Sequence, residues 1–145
     1  MPVGALLDAG PLVAYLYPRD RHHPWAVEQF EAAKSPFLTC EAALTEASFL
    51  TRRNGQSPVR VLQLLDTGVA RVGLDLEEEV YAIQVLMARY ANVPMSLADA
   101  CLVRMSEMTR LPICTLDTDF TVYRAHGRQA LELITPAGLH GLHES

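Results

Sequence analysis

The stretch Val3-Gly4-Ala5-Leu6-Leu7-Asp8-Ala9-Gly10-Pro11 is a short apolar run that ends in an acid, a glycine and a proline. The apolar run predicts a buried β-strand, and the residues after it predict a turn into a helix. Pro112 to Leu116 is a second apolar run, and it ends at Asp117-Thr118-Asp119. Two predicted strands therefore finish at an aspartate.

Around these two stretches, helical patterns alternate with short strand patterns. This alternation predicts an α/β fold, namely a three-layer α/β/α sandwich with a mainly parallel central sheet. Ligands bind beyond the carboxyl ends of the strands in such sheets, where Asp8 and Asp117 are expected. No repeat or linker divides the chain, so we expect one domain over residues 1–136 and a flexible tail over 137–145. The predicted helices span about 12–17, 24–33, 41–53, 58–66, 77–90, 97–109 and 120–125, and the other strands span 37–39, 69–74 and 131–134.

The net charge of −5 is unusual for a protein that binds nucleic acid, because such proteins normally carry a basic surface. However, the basic residues are arginines with the single exception of Lys34, and arginine makes bidentate phosphate contacts. Arg52, Arg53 and Arg124 are the candidate substrate-binding residues. The alternative interpretation is an arginine-rich surface that is merely solvated.

The cysteine pattern and the amino terminus bear on the cellular compartment. Cys40, Cys101 and Cys114 are odd in number and lie among apolar neighbours, which favours small buried thiols in a reducing cytoplasm. The amino-terminal residues lack the basic segment of a signal peptide. No apolar run approaches the roughly 18 residues of a membrane span, so we expect a cytoplasmic protein that does not bind membranes.

Asp8 and Glu46 each allow a structural and a functional interpretation. Asp8 could be a turn residue that binds the backbone two residues on. Glu46 falls on or beside the apolar stripe formed by Ala43, Ala47 and Leu50. A carboxylate facing a core is costly unless it is paired, protonated or bound to metal, although Glu46 could also reach water at the edge of the stripe.

The remaining candidate acids lie at the starts of predicted helices. Ser96-x-x-Asp99 matches a capping box, and the same position could deliver a metal ligand. Asp117 and Asp119 could form a turn and a helix cap, with Asp117 the better ligand and Asp119 the better cap.

Taken together, the acids form a set of oxygen ligands at the ends of secondary-structure elements. Mg²⁺ and Mn²⁺ prefer carboxylate oxygens, and several acids cannot all stay ionised at close range without a cation. Such a site suits phosphodiester hydrolysis. Histidine-based metal sites are weaker alternatives. His22-His23 could cap a helix or face solvent, and His140 and His143 lie in the predicted flexible tail.

Four segments of the sequence resemble the PIN-domain family, in particular the VapC-type toxin nucleases of bacteria. The resemblance covers nearly the whole chain, and its specificity comes from the order and spacing of the segments. The segments are Leu7-Asp8-Ala9-Gly10-Pro11-Leu12-Val13-Ala14-Tyr15-Leu16, Leu44-Thr45-Glu46-Ala47, Met95-Ser96-Leu97-Ala98-Asp99-Ala100 and Thr115-Leu116-Asp117-Thr118-Asp119-Phe120.

The resemblance implies a Rossmann-like sandwich, a divalent-metal site and cleavage of RNA. It matches Asp8, Glu46, Asp99 and Asp117 to the four acids of the family, with Asp119 at an accessory position. It also implies a homodimer and, for toxins, inhibition by a cognate antitoxin. Many relatives carry Ser or Thr directly after the first aspartate, where this chain has Ala9, so a hydroxyl that would help hold that carboxylate or a metal-bound water is absent.

The hypothesis from the sequence is a Mg²⁺- or Mn²⁺-dependent endoribonuclease, with the four acids as catalytic residues and metal ligands and Asp119 as a further ligand. The first rival is a non-catalytic RNA- or protein-binding module on the same fold. The second is a phosphatase with Asp8 as nucleophile, but that mechanism usually requires a second acid where this chain has Gly10.

Overall fold

The computed structural model describes residues 4–139, in which helices and short strands alternate along the chain. The strands are β1 (Leu6–Leu7), β2 (Phe37–Thr39), β3 (Ala70–Val72), β4 (Ile113–Cys114), β5 (Arg124–Ala125), β6 (Gln129–Ala130) and β7 (Leu133–Ile134). The helices are α1 (Ala9–Leu16), α2 (His23–Ala32), α3 (Glu41–Arg53), α4 (Val59–Asp66), α5 (Val80–Arg89) and α6 (Leu97–Thr109), with a 3₁₀ helix at Thr118–Thr121.

The central sheet has five strands in the order β3-β2-β1-β4-β7, and every neighbouring pair is parallel. The two strands that precede the aspartates are adjacent, with Leu6 opposite Ile113 and Leu7 opposite Cys114. The prediction of an α/β fold with a parallel sheet is therefore confirmed. The register brings the ends of β1 and β4, and the acids that follow them, to the same edge of the sheet.

The short central strands separate two apolar cores. In β1, Leu6 packs with residues of α5 and α6 on one face, and Leu7 packs with residues of α1 and α4 on the other. Ile113 and Cys114 divide in the same way on β4. Both leucines are fully buried, and burial of each contributes about 2 to 3 kcal/mol. The continuous apolar sequence of these strands thus reflects a sheet that is covered on both faces.

Three helices differ from the prediction, and one of them is α5, which begins at Val80 rather than at Glu77. Helix α1 begins at Ala9 rather than near Leu12, because the Asp8 side chain caps it. The predicted helix at 120–125 is instead the 3₁₀ helix followed by an antiparallel hairpin of β5 and β6. His126 and Gly127 at the hairpin turn have positive φ angles of 51° and 78°. Glycine in a short loop between two strands is typical of a β-hairpin, and the prediction of a helix did not take it into account.

The carboxyl-terminal segment returns to the edge of the sheet where the acids lie. Residues 137–139 form a turn in which the Leu139 amide donates to the Pro136 carbonyl at 3.2 Å. The rest of the predicted flexible tail, 140–145, lies outside the described residues and includes His140 and His143. None of the helices within residues 4–139 has the length and apolarity needed to cross a membrane.

Candidate active site

A cleft of about 480 Å³ opens at the carboxyl edge of the sheet, next to the ends of β1 and β4. Four of the predicted acids line it, and they come from four separate segments of the chain. The lining residues are Asp8, Gly10, Arg21, Glu46, Leu50, Asp99, Leu116, Asp117, Thr118 and Leu139. A Cβ on Gly10 would lie only 3.3 Å from the Leu116 side chain, so glycine permits the close approach of α1 to the loop after β4.

Asp8 is the most constrained of the four acids. It is 6% exposed, and its Oδ1 accepts a hydrogen bond of 2.8 Å from the Ala9 amide at the start of α1. Burial raises the pKa of Asp8 to about 7, and the charges of Asp99 and Glu46 act in the same direction. The hydrogen bonds to its two oxygens oppose this shift because they stabilise the ionised form. Asp8 is therefore both a helix cap and a wall of the acidic cleft, and its backbone bond goes to the next residue rather than to the one two residues on.

Thr115 is a site residue that the sequence analysis did not assign. Its buried hydroxyl donates to Asp8 Oδ2 at 2.7 Å and accepts from the Asp117 amide at 2.9 Å. One hydroxyl thus connects the two strand-end aspartates. It also supplies Asp8 with a hydroxyl partner that Ala9, at the position where many relatives carry Ser or Thr, cannot provide. The place of Thr115, directly after the buried strand β4, was the available signal.

Asp99 is buried at the amino terminus of α6, and the structure confirms half of the predicted capping box. The Ser96 hydroxyl accepts from the Asp99 amide at 3.0 Å. The Asp99 carboxylate, at 8% exposure, accepts a hydrogen bond of 2.8 Å on Oδ2 from the Tyr123 hydroxyl.

Tyr123 is the second residue that the sequence analysis missed. The side chain is fully buried beside the 3₁₀ helix, and its ring packs edge-on against Phe120 and Tyr90. Burial and the hydrogen bond to Asp99 both raise the pKa of the Tyr123 phenol. The phenol therefore stays protonated and can hold Asp99 in place. A buried tyrosine generally needs a hydrogen-bond partner, which is the signal that could have indicated this pairing.

Glu46 lies at the edge of the apolar stripe of α3 and reaches solvent. Its neighbours Ala43 and Ala47 are buried, whereas Glu46 itself is exposed and lines the cleft. Partial desolvation raises the pKa of Glu46, and the charges of Asp99 and Asp117 raise it further. Of the two positions that the sequence allowed for Glu46, the structure shows the one at the edge of the stripe. The Glu46 carboxylate is close enough to Asp99 and Asp117 to be affected by their charges.

The assignment of Asp119 as the better helix cap was wrong. Asp117 caps the 3₁₀ helix, since its Oδ1 accepts from the Asp119 amide at 2.8 Å. Asp117 is half-buried and lines the cleft, and desolvation together with the charges of Asp119 and Asp99 raises its pKa. Asp119 is exposed in the first turn of that helix. Asp117 can cap the helix and line the cleft at once, because the Asx turn uses one carboxylate oxygen and leaves the other available.

The three predicted substrate-binding arginines are not among the residues that line the cleft. Arg52 and Arg53 are exposed in the last turn of α3, and the Arg53 guanidinium lies 5.9 Å from the centre of the Phe49 ring. Arg124 Nη1 donates to the carbonyls of Thr121, Val122 and Tyr123 at 2.8 to 3.3 Å.

Arg21 is the arginine that lines the cleft, and no pattern in the sequence indicated it. It is exposed in the turn before α2, where its Nε donates to His22 Nε2 at 3.1 Å. His23 is engaged through Nδ1 with the Ala14 carbonyl at 2.7 Å.

The acids of the cleft are suitable metal ligands in type but do not form a ready-made coordination sphere. Across residues 4–139, no three His, Cys, Asp or Glu side chains are placed so that they could hold a metal ion. Mg²⁺ usually takes only one or two protein carboxylates and completes its shell with water and phosphate oxygens. Acids of this type would fit such an ion, with water and phosphate oxygens completing its shell.

Comparison with known proteins identifies the fold. The chain is similar to the crystal structure of VapC20 from Mycobacterium tuberculosis, a toxin that cleaves the sarcin-ricin loop, with a TM-score of 0.72 and 20% sequence identity. The similarity covers 91% of this chain and 99% of that one. No family model matches the sequence, and no curated protein matches it. The PIN-like fold suggested by the four sequence segments is therefore confirmed.

Proposed function

We propose that the chain is a PIN-domain endoribonuclease of the VapC toxin type, which hydrolyses RNA phosphodiester bonds in the acidic cleft with Mg²⁺ or Mn²⁺. The observation that carries this proposal is the convergence of Asp8, Glu46, Asp99 and Asp117 on one cleft at the carboxyl edge of the sheet. The similarity to an RNA-cleaving toxin over almost the whole of both chains supports it.

Electrostatics support a divalent cation in this cleft. Desolvation and the neighbouring carboxylates raise the pKa of Asp8, Glu46 and Asp117, so the cleft disfavours their joint ionisation. A dication offsets that repulsion and allows all of the acids to ionise. We assign Asp8, Asp99 and Asp117 to hold the ion, either directly or through its bound water, with Glu46 as a further such residue and Asp119 as an accessory one. When bound, the ion would polarise the phosphate oxygens as a Lewis acid.

Other groups of the chain would position the acids and accept a proton. Thr115 and the Ala9 amide hold the Asp8 carboxylate, and the Tyr123 hydroxyl holds that of Asp99. Fixed carboxylates of this kind reduce the reorganisation needed when charge develops on the phosphate. Glu46 is exposed and has a raised pKa, which suits a group that accepts a proton from the attacking water.

Arginines would position the RNA. Arg21 lies in the cleft wall and can contact the phosphate next to the scissile bond, while Arg52 and Arg53 on α3 extend the contact along the chain of phosphates. Arg124 serves mainly to hold the segment that carries Tyr123, because its guanidinium is bound to backbone carbonyls there.

Partners follow from the proposed toxin class. We propose a homodimer in the cytoplasm that a cognate antitoxin protein inhibits. Large apolar side chains are exposed on the adjoining helices α3 and α4, where they would suit a protein partner: Phe49, Val59 and Leu62. Light scattering of the purified chain, alone and with the product of the neighbouring gene, tests both assemblies.

The decisive experiment assays RNA cleavage with Mn²⁺ and with a chelator. Asp8→Asn and Asp99→Asn preserve shape but remove charge, and Asp66→Asn is the matched control on an exposed acid at the end of α4. We expect cleavage by the wild type and Asp66→Asn only with metal, and none by the two site variants. Equal cleavage by all four proteins would contradict the proposal, and RNA binding without any cleavage would favour a non-catalytic module.

A further inference from the structure

Two of the three cysteines meet between α3 and α6, outside the acidic cleft. Cys40 precedes the first residue of α3, and Cys101 lies in the second turn of α6. Both side chains are 2% exposed and belong to the same apolar core. The chain thus brings together two thiols that are separated by sixty-one positions in the sequence.

The two thiols share one cavity as well as one core. A hydrogen bond between them raises the pKa of the Cys40 thiol and lowers that of the Cys101 thiol. Both cysteines line a cavity of about 250 Å³, and its walls include the exposed residues Glu41, Thr45 and Leu97, so the cavity opens toward the surface. Cys114 is fully buried in the core on the other face of the sheet.

We propose that Cys40 and Cys101 form a modification site at which a peroxide closes an intrachain disulfide. The first thiol attacks the peroxide, which gives a sulfenic acid and releases water from hydrogen peroxide. The second thiol then attacks the sulfenic sulfur, so that the Sγ–Sγ bond forms and a second water leaves. Overall the two thiols lose two hydrogens, and one peroxide is reduced to two waters.

The position of the pair gives this bond a structural consequence. It joins the start of α3, the helix of Glu46, to α6 two residues after Asp99. A bond between segments so far apart in sequence restricts the unfolded chain, so oxidation should raise the unfolding temperature. This inference depends on the cysteine geometry alone and stands whether or not the chain cleaves RNA.

Trypsin provides a direct test, because each cysteine falls in a different peptide. Cleavage after Lys34, Arg52, Arg89, Arg104, Arg110 and Arg124 places Cys40 in 35–52, Cys101 in 90–104 and Cys114 in 111–124. The folded protein is treated with hydrogen peroxide, quenched, unfolded, alkylated and digested without reductant. We expect 35–52 linked to 90–104, with 111–124 alkylated, and an increase in unfolding temperature that dithiothreitol reverses.

Single variants and the chain mass complete the test. Cys114→Ser is the matched control and should keep both the linked peptide and the shift in unfolding temperature. Cys40→Ala and Cys101→Ala should lose both. The proposal is overturned if the wild-type peptides 35–52 and 90–104 are both recovered alkylated, if the bond includes Cys114, or if it forms only between two chains. The measurement on the wild type decides the matter even if a variant does not fold.

Discussion

The Thr115 hydroxyl donates a hydrogen bond of 2.7 Å to Asp8 Oδ2, across 107 positions of sequence. The Thr115 hydroxyl oxygen also accepts a hydrogen bond of 2.9 Å from the Asp117 amide. These two bonds align the ends of the parallel strands β1 and β4. Asp8 and Thr115 are both buried, so the Thr115 hydroxyl gives the desolvated Asp8 carboxylate a hydrogen-bond donor in place of water.

Replacement of Thr115 by valine should impair both stability and activity. The variant leaves a buried carboxylate oxygen without its donor, which costs about 1 to 3 kcal/mol. Loss of a group that orients a ligand typically lowers metal affinity or activity by about 10- to 100-fold. Urea unfolding and Mn²⁺-dependent cleavage measure the two effects. Thr115→Ser keeps the hydroxyl and should restore most activity; a serine variant as poor as valine would show that the methyl group matters instead.

Asp8 should make the free energy of unfolding depend on pH in the absence of metal. Its pKa is raised from 3.8 to about 7 on folding, so folding is favoured while Asp8 is protonated. Stability should therefore fall as the pH rises from about 4 to above 7, by up to roughly 4 kcal/mol. Asp8→Asn should lack this part of the fall. Urea midpoints measured in chelator from pH 4 to 8 test this, and parallel curves for wild type and variant would refute it.

Divalent cations should stabilise the wild type against heat. At about 100 times its Kd, a ligand that binds only the folded state adds about 2.7 kcal/mol, or a Tm increase on the order of 5 to 10 °C. The increase should vanish in Asp8→Asn and Asp99→Asn and persist in Asp66→Asn. Differential scanning fluorimetry with Mn²⁺ measures it. An equal increase in all of these proteins would indicate unspecific binding elsewhere.

Tyr123→Phe should weaken metal binding more than it weakens the fold. The variant keeps the ring packing against Phe120 and Tyr90 but removes the donor to Asp99. We expect about a tenfold loss of Mn²⁺ affinity by calorimetry. Tyr81→Phe is the control, since Tyr81 is 77% exposed. Unchanged Mn²⁺ affinity in Tyr123→Phe would mean that Asp99 needs no support.

Arg21→Ala should reduce RNA affinity and its dependence on salt. Removal of one phosphate contact lowers the slope of log K against log salt by about 1. Arg71→Ala, on the edge strand β3, is the control and should leave the slope unchanged. Arg124→Ala should act on stability instead, because its guanidinium binds backbone carbonyls. Fluorescence anisotropy of labelled RNA between 50 and about 200 mM salt provides the measurement.

The local pattern of apolar residues was sufficient to predict most of the helices and strands. The short apolar run before Asp8 and the one before Asp117 predicted buried strands because each is covered on both faces, and a covered strand needs no polar alternation. The hairpin at His126 and Gly127 was missed because two-residue strands carry almost no periodicity. The turn residues alone indicated it.

The same local patterns predicted the roles of the acids only in part. Asp117 and Asp119 have equal capping chemistry, and the choice between them depends on how the chain leaves β4. Arg21 is an ordinary surface arginine in the sequence, and it reaches the cleft because α2 packs beside α1.

The sequence by itself determined the alternation of strands and helices, and with it the edge of the sheet where the acids must lie, because parallel strands share the direction of their ends. Tertiary structure decided which groups hold those acids. Thr115 and Tyr123 come from segments distant from Asp8 and Asp99, and their contacts with these acids exist only after packing. Arg21 likewise lines the cleft only in the folded chain. Desolvation is likewise a property of the folded chain, and it is what raises the pKa of Asp8 to about 7.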